Sequence, residues 1–118
     1  DGNDLYELGA FSGGYGRWNG FGLFVDNAGS DQYRATANES LGSAVLTILG
    51  SEPSTNPRRR APTFGVFVDA GGVDTYERPT LRPPGVADNA AWTQTSPDEA
   101  ALPTYGVGID GVGATGVD

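Results

Sequence analysis

The sequence predicts an all-β chain: a short right-handed β-solenoid, or stacked-strand array, with loop insertions. Three observations carry this. A phrase recurs, Phe21-Gly22-Leu23-Phe24-Val25-Asp26-Asn27-Ala28-Gly29-Ser30-Asp31-Gln32-Tyr33, then Phe64-Gly65-Val66-Phe67-Val68-Asp69-Ala70-Gly71-Gly72-Val73-Asp74-Thr75-Tyr76, with a looser copy starting Tyr105-Gly106-Val107-Gly108-Ile109-Asp110. The apolar runs within it are short, rich in Phe and Val, and bounded by Gly, Asp and Asn, as strands are. Glycine is abundant, 19 of 118 residues, and sits at matched places in the phrase. Units repeating at such spacings bury their apolar faces against one another.

The first element is a partial copy, Gly2-Asn3-Asp4-Leu5-Tyr6, which matches Gly29-Ser30-Asp31-Gln32-Tyr33. Gly116-Val117-Asp118 likewise matches Gly72-Val73-Asp74. The phrases therefore lie at 1–6, 21–33, 64–76 and 105–118 within one repeat-containing domain, 1–118. Their second Asp falls at 4, 31, 74 and 118, intervals of 27, 43 and 44 residues. The shortest interval reads as the basic unit and the longer two as that unit with an insertion. A chain that opens and closes inside the phrase is expected to be a piece of a longer array, so missing signals at its ends are uninformative.

Strand pieces are predicted at Leu5–Ala10 and Tyr15–Trp18, around Ser12-Gly13-Gly14. Strands follow at Phe21–Val25 and Phe64–Val68, whose continuous apolar character predicts cover on both faces or a place in a tight core. After each, Asp-x-x-Gly-x-Asp makes a turn, because Asp and Asn bond nearby amides and Gly supplies positive φ. Short strands are expected next, at Gln32–Ala35 and Thr75–Arg78.

The insertions, 36–62 and 79–103, are unlike each other, as loops on a repeat scaffold are. In the first, Leu41, Val45, Ile48 and Leu49 have helical spacing between an Asn38 N-cap and Gly50; a strand at Ala44–Leu49 is the competing reading. Ser51 to Pro62 is a polar loop carrying Arg58-Arg59-Arg60. In the second, Ser96-Pro97-Asp98-Glu99 is a capping-box start, predicting a helical turn over Asp98–Leu102.

Net charge is −8, and all seven basic residues are arginine. That balance argues against nucleic acid and anionic membrane surfaces. It accords with cation binding or with simple solubility. With no Cys and no His, thiol nucleophiles, Cys-type zinc sites and a Ser-His-Asp triad are excluded within these residues. No apolar run approaches the roughly 20 residues of a membrane helix.

The paired carboxylates are the sharpest chemical feature: Asp26 with Asp31, Asp69 with Asp74, Asp110 with Asp118, and Asp1 and Asp4 in the partial copy. Each reads first as a cap on its own turn. The second reading is a calcium site with Asp26, Asp31, Asp69, Asp74 and Asp110 as ligands, since calcium takes six to eight oxygens from carboxylates and carbonyls. Tyr6, Tyr33 and Tyr76 hold one equivalent position, which predicts an internal aromatic ladder. Trp18 and Trp92 stand outside it and are the glycan-stacking candidates. The arginine run reads as a solvated loop, the alternatives being an acidic partner or a processing site. Gly13-Gly14-Tyr15-Gly16 lacks the Lys and the strand–loop–helix setting of a phosphate loop. No catalytic residue stands out, although two carboxylates could serve a glycosidase.

Gly2-Asn3-Asp4-Leu5-Tyr6 is similar to a fragment of the calcium-binding nonapeptide β-roll repeats, which however recur far more closely than every 27 to 44 residues. More of the chain, 1–35, 63–78 and 105–118, resembles uncharacterised bacterial Gly/Asp-rich β-solenoid repeat proteins, with apolar-apolar-Asp-x-x-Gly-x-Asp-x-Tyr preceded by Gly-x-Gly. That resemblance implies a β-solenoid and no known activity. The expected function is structural rather than enzymatic: a segment of a bacterial surface or secreted repeat protein that assembles with copies of itself or neighbouring subunits. The alternatives are a calcium- or glycan-binding module and, third, a fragment of an enzyme acting on polysaccharide.

Overall fold

The computed structural model describes residues 2–37, 40–45, 57, 61–79, 83–94 and 104–111. Among them the chain is nearly all β, with no α-helix and no closed barrel. Strands β1 (Leu5–Leu8), β4 (Gln32–Ala35) and β7 (Thr75–Glu77) form one parallel sheet. Strands β2 (Gly16–Arg17) and β5 (Ala44–Val45) form a second. The third joins β3 (Phe21–Asp26), β6 (Thr63–Asp69) and β9 (Thr104–Asp110) in parallel, and β8 (Ala91–Gln94) runs antiparallel on the far edge of β9. The phrases thus stack as layers, in a register that sets like against like: Phe21 on Phe64, Gly22 on Gly65, Asp26 on Asp69 and Asp69 on Asp110.

Alternation along the strands decides what faces inward. The first sheet turns Tyr6, Tyr33 and Tyr76 inside as a column of stacked rings, with centroids 5.1 and 5.0 Å apart. The third sheet turns Phe24 and Phe67 toward them, stacked at 5.1 Å and meeting the tyrosines edge to face. Each such pair adds about 0.5–1.5 kcal/mol beyond the area it buries. In the third layer the Phe position is Gly108, and the indole of Trp92, reaching across from β8, lies over it. That ring continues the column, 5.7 Å from Phe67 and 5.8 Å from Tyr76, and its Nε1–H donates to the Leu41 carbonyl at 3.0 Å. The inner glycines let the second sheet approach backbone to backbone: a Cβ at Gly65 would stand 2.0 Å from the Ser43 oxygen.

The structure departs from the sequence reading in several places. Strands Phe21–Val25 and Phe64–Val68 are not covered on both faces: Phe21, Leu23, Val25 and Phe64 are exposed on the outer face, beside Tyr105 and Ile109. The helix over Leu41–Leu49 does not form where the chain is described. Leu41 has φ 53°, outside the right-handed helix, and Ala44–Val45 is a strand paired with β2. At Leu41 the reason is that Ser40-Leu41-Gly42 repeats the turn made by Ser12-Gly13-Gly14, the Gly42 N–H donating to the Gly13 carbonyl at 2.9 Å, while Asn38, Ile48, Leu49 and Gly50 lie outside the described residues. The early strand pieces shrink to Leu5–Leu8 and Gly16–Arg17, and Thr75–Arg78 ends at Glu77. The predicted turn at Asp98–Leu102 and the Arg58–Arg60 run lie outside the described residues.

Candidate functional site: the aspartate columns

Two rows of aspartate run along the stack where the third sheet turns into the first. The first Asp of each phrase ends a strand of the third sheet, giving Asp26, Asp69 and Asp110 in register. Each accepts a tyrosine hydroxyl from the preceding layer: Tyr6 donates to Asp26, Tyr33 to Asp69, and Tyr76 to Asp110 at 2.7 Å. Asp26 and Asp69 also cap their own turns, accepting from the Ala28 and Gly71 amides at 3.2 and 3.0 Å. The second Asp does something different. Asp31 accepts the Asp4 amide and Asp74 the Asp31 amide, both at 2.7 Å, so each ties its turn to the one before. Asp88, from the second insertion, continues the row by accepting the Asp74 amide at 2.8 Å. These turns sit close: Gly72 has φ +153°, and a Cβ there would stand 1.4 Å from the Gly29 carbonyl.

The rows are buried and acidic. Asp26, Asp31, Asp69, Asp74 and Asp110 are all at most 5% exposed. Among the described residues no arginine forms an ion pair with them; Arg34 instead bridges Glu7 and Glu77 on the outer face of the first sheet. Three carboxylate oxygens, Asp31 Oδ2, Asp74 Oδ2 and Asp110 Oδ1, are buried without a hydrogen-bond partner. Burial raises the pKa of Asp31 and Asp110, and lifts Asp74 to about 6, with its neighbouring aspartates adding to the effect. At Asp26 burial pushes the same way, but the Tyr6 hydroxyl and the Ala28 amide outweigh it and the pKa is lowered. Burial and the bond to Asp69 push the Tyr33 hydroxyl up, and Asp110 acts likewise on Tyr76, so both remain donors.

A stability profile with an unusual slope follows. Between pH of about 4 and 6 the folded state keeps a proton on Asp74 that the unfolded chain has released, so raising pH through this window removes stability. A shift of about two units is worth about 3 kcal/mol; the lowered pKa of Asp26 acts in the opposite sense, but below about pH 4 and so outside this window. In chelator, the protein is expected to melt higher near pH 4.5 than near pH 7.5; melting that rises toward neutrality would contradict this account of the columns.

The five predicted metal ligands, Asp26, Asp31, Asp69, Asp74 and Asp110, are brought together in these rows, with Asp4 and Asp88 beside them. Asp1 and Asp118 lie outside the described residues. Sequence reasoning missed Asp88; its signal was Asp88-Asn89-Ala90, an echo of Asp26-Asn27-Ala28. The two glycan candidates part company. Trp18 is half exposed in a positive-φ turn, with the Arg17 guanidinium 4.3 Å from its ring. Trp92 is 4% exposed and fills the core over Gly108, so it offers no face to a sugar. No helix among the described residues is long and apolar enough to cross a membrane. No protein-family model, curated protein or solved structure matches the chain.

Proposed function

We propose that the chain is a structural β-solenoid segment, part of a surface or secreted repeat protein, that joins further layers through strand edges. The observation that carries this is the in-register matching of identical residues from layer to layer, ending at an edge of β1 and β3 where no strand pairs among the described residues. A layer built to receive its own likeness on one side presents the same pattern on the other. Unpaired edges recruit strands unless charge, proline or a covering element blocks them. Here the edge strand β3 carries Phe21, Leu23 and Val25 outward. The partner that fits is another such layer, from a second copy or a neighbouring subunit. The acidic, Cys-free, Gly-rich composition accords with an extracellular setting.

Light scattering tests this directly. The protein is expected to form particles that are multiples of 12.2 kDa and grow with concentration. Leu23→Lys with Val25→Lys, placing charge on the edge strand, should return it to monomer without loss of the circular dichroism of the fold. A wild-type protein that stays monomeric at every concentration would rule the reading out.

A further inference from the structure

We propose that the aspartate columns bind hard divalent cations, calcium above all, at two inner sites: Asp31–Asp69–Asp74 and Asp74–Asp88–Asp110. This concerns oxygens within one chain and stands whether or not the protein assembles.

The geometry supplies the first argument. In each trio, one carboxylate oxygen from every residue lies within 4.8 Å of those from the other two. Calcium–oxygen distances of about 2.3–2.6 Å allow two ligands of one ion to be no more than about 5 Å apart. A third trio, Asp4–Asp26–Asp31, has the same spacing, but Asp4 is exposed and the trio lies at the outer layer.

The second argument is independent of the clustering. Asp31 Oδ2, Asp74 Oδ2 and Asp110 Oδ1 are buried and accept no hydrogen bond, although the other oxygen of each residue is bonded to an amide or a tyrosine hydroxyl. At these three residues the fold spends its donors on one oxygen and leaves the other bare, whereas both oxygens of Asp69 and of Asp88 accept hydrogen bonds. A buried carboxylate oxygen without a donor or counter-charge is costly. Among the described residues no arginine relieves it: Arg34 is engaged with Glu7 and Glu77 on the outer face, and Arg78 donates to the Pro83 carbonyl. Each inner trio contains two of the bare oxygens, and Asp74 belongs to both trios and can bridge two ions.

The donor set selects the metal class. All ligands are oxygen, and the chain holds no His or Cys for softer ions. Calcium tolerates irregular, partly hydrated coordination, whereas magnesium demands a near-ideal octahedron. A layered array of turns offers the former.

The test uses the protein stripped with chelator and titrated with calcium chloride near pH 7.5, followed by calorimetry and by terbium luminescence excited through the nearby tyrosine and tryptophan rings. The expected result is two calcium ions per chain and melting raised by about 5 °C or more at saturation. Asp74→Asn, which keeps an oxygen for the Asp31 amide, should abolish both sites; Asp88→Asn should abolish one and leave one. If Asp74→Asn does not fold, Asp88→Asn decides: a fall from two ions to one supports the assignment, and two retained ions overturn it. Binding that persists in folded Asp74→Asn overturns it as well. So does a wild-type protein that binds no calcium up to about 10 mM, beyond the weakest calcium modules, in which case protons alone relieve the columns.

Discussion

Gly65→Ala is expected to destabilise the protein by about 3 kcal/mol or more, a large share of the stability of an ordinary domain. The added methyl would stand 2.0 Å from the Ser43 carbonyl oxygen and 2.8 Å from that of Gly42. Neither obstacle is the end of a flexible side chain. Both are backbone of the turn leading into β5, held by the bond from the Gly16 amide to the Ser43 carbonyl at 2.9 Å. Relief would require moving the second sheet off the third, which opens the core around Phe67. Gly9→Ala is the matched control, because a Cβ there meets nothing within 4 Å; it should change stability by no more than about 0.5 kcal/mol. Urea midpoints of the two variants give the comparison. Equal midpoints would mean that the sheets do not approach as described.

Trp92→Ala comes next, with an expected loss of about 3–5 kcal/mol. Its ring occupies the place that Phe24 and Phe67 hold in the other layers, and Gly108 beneath it has no side chain to replace it. Truncation leaves a cavity between Phe67 and Tyr76 and removes the donor to the Leu41 carbonyl. Trp92→Phe keeps most of the volume and should cost about 1–2 kcal/mol, chiefly the lost hydrogen bond. The informative case is the double variant Trp92→Ala with Gly108→Phe, which restores the aromatic to the strand that carries it elsewhere. Partial recovery of the melting temperature is the expected outcome; a double variant worse than Trp92→Ala alone would show that the two positions do not share one space.

Much of this fold is legible in the sequence, and the reason is local. A five-residue apolar run followed by Asp-x-x-Gly-x-Asp needs only its own residues to be a strand and a turn, so Gln32–Ala35 has the bounds expected of it. The tyrosine ladder was legible because Tyr6, Tyr33 and Tyr76 hold equivalent places. What stayed hidden depends on contacts between layers. Nothing in Ser40-Leu41-Gly42 announces that Leu41 takes positive φ, or that Ala44–Val45 pairs with β2. The bonding of the second Asp to the turn before its own was equally invisible, since it joins residues 27 and 43 apart. Trp92 left one trace. The copy beginning Tyr105-Gly106-Val107-Gly108 drops the phenylalanine found in the other two, and a missing ring in a packed column must be made up from somewhere.

The segment from 83 to 94 looks like an interruption of the repeat, yet it supplies two of the repeat's own parts, an aspartate for the row and a ring for the column. Similarity of position is therefore achieved here without similarity of sequence. The practical meaning concerns modularity. An engineer who trimmed the chain to its shortest unit, expecting interchangeable bricks, would remove the pieces that complete the third layer and leave Gly108 facing a void. The phrase repeats in its letters, but the stacked strands it forms are not spare parts for one another.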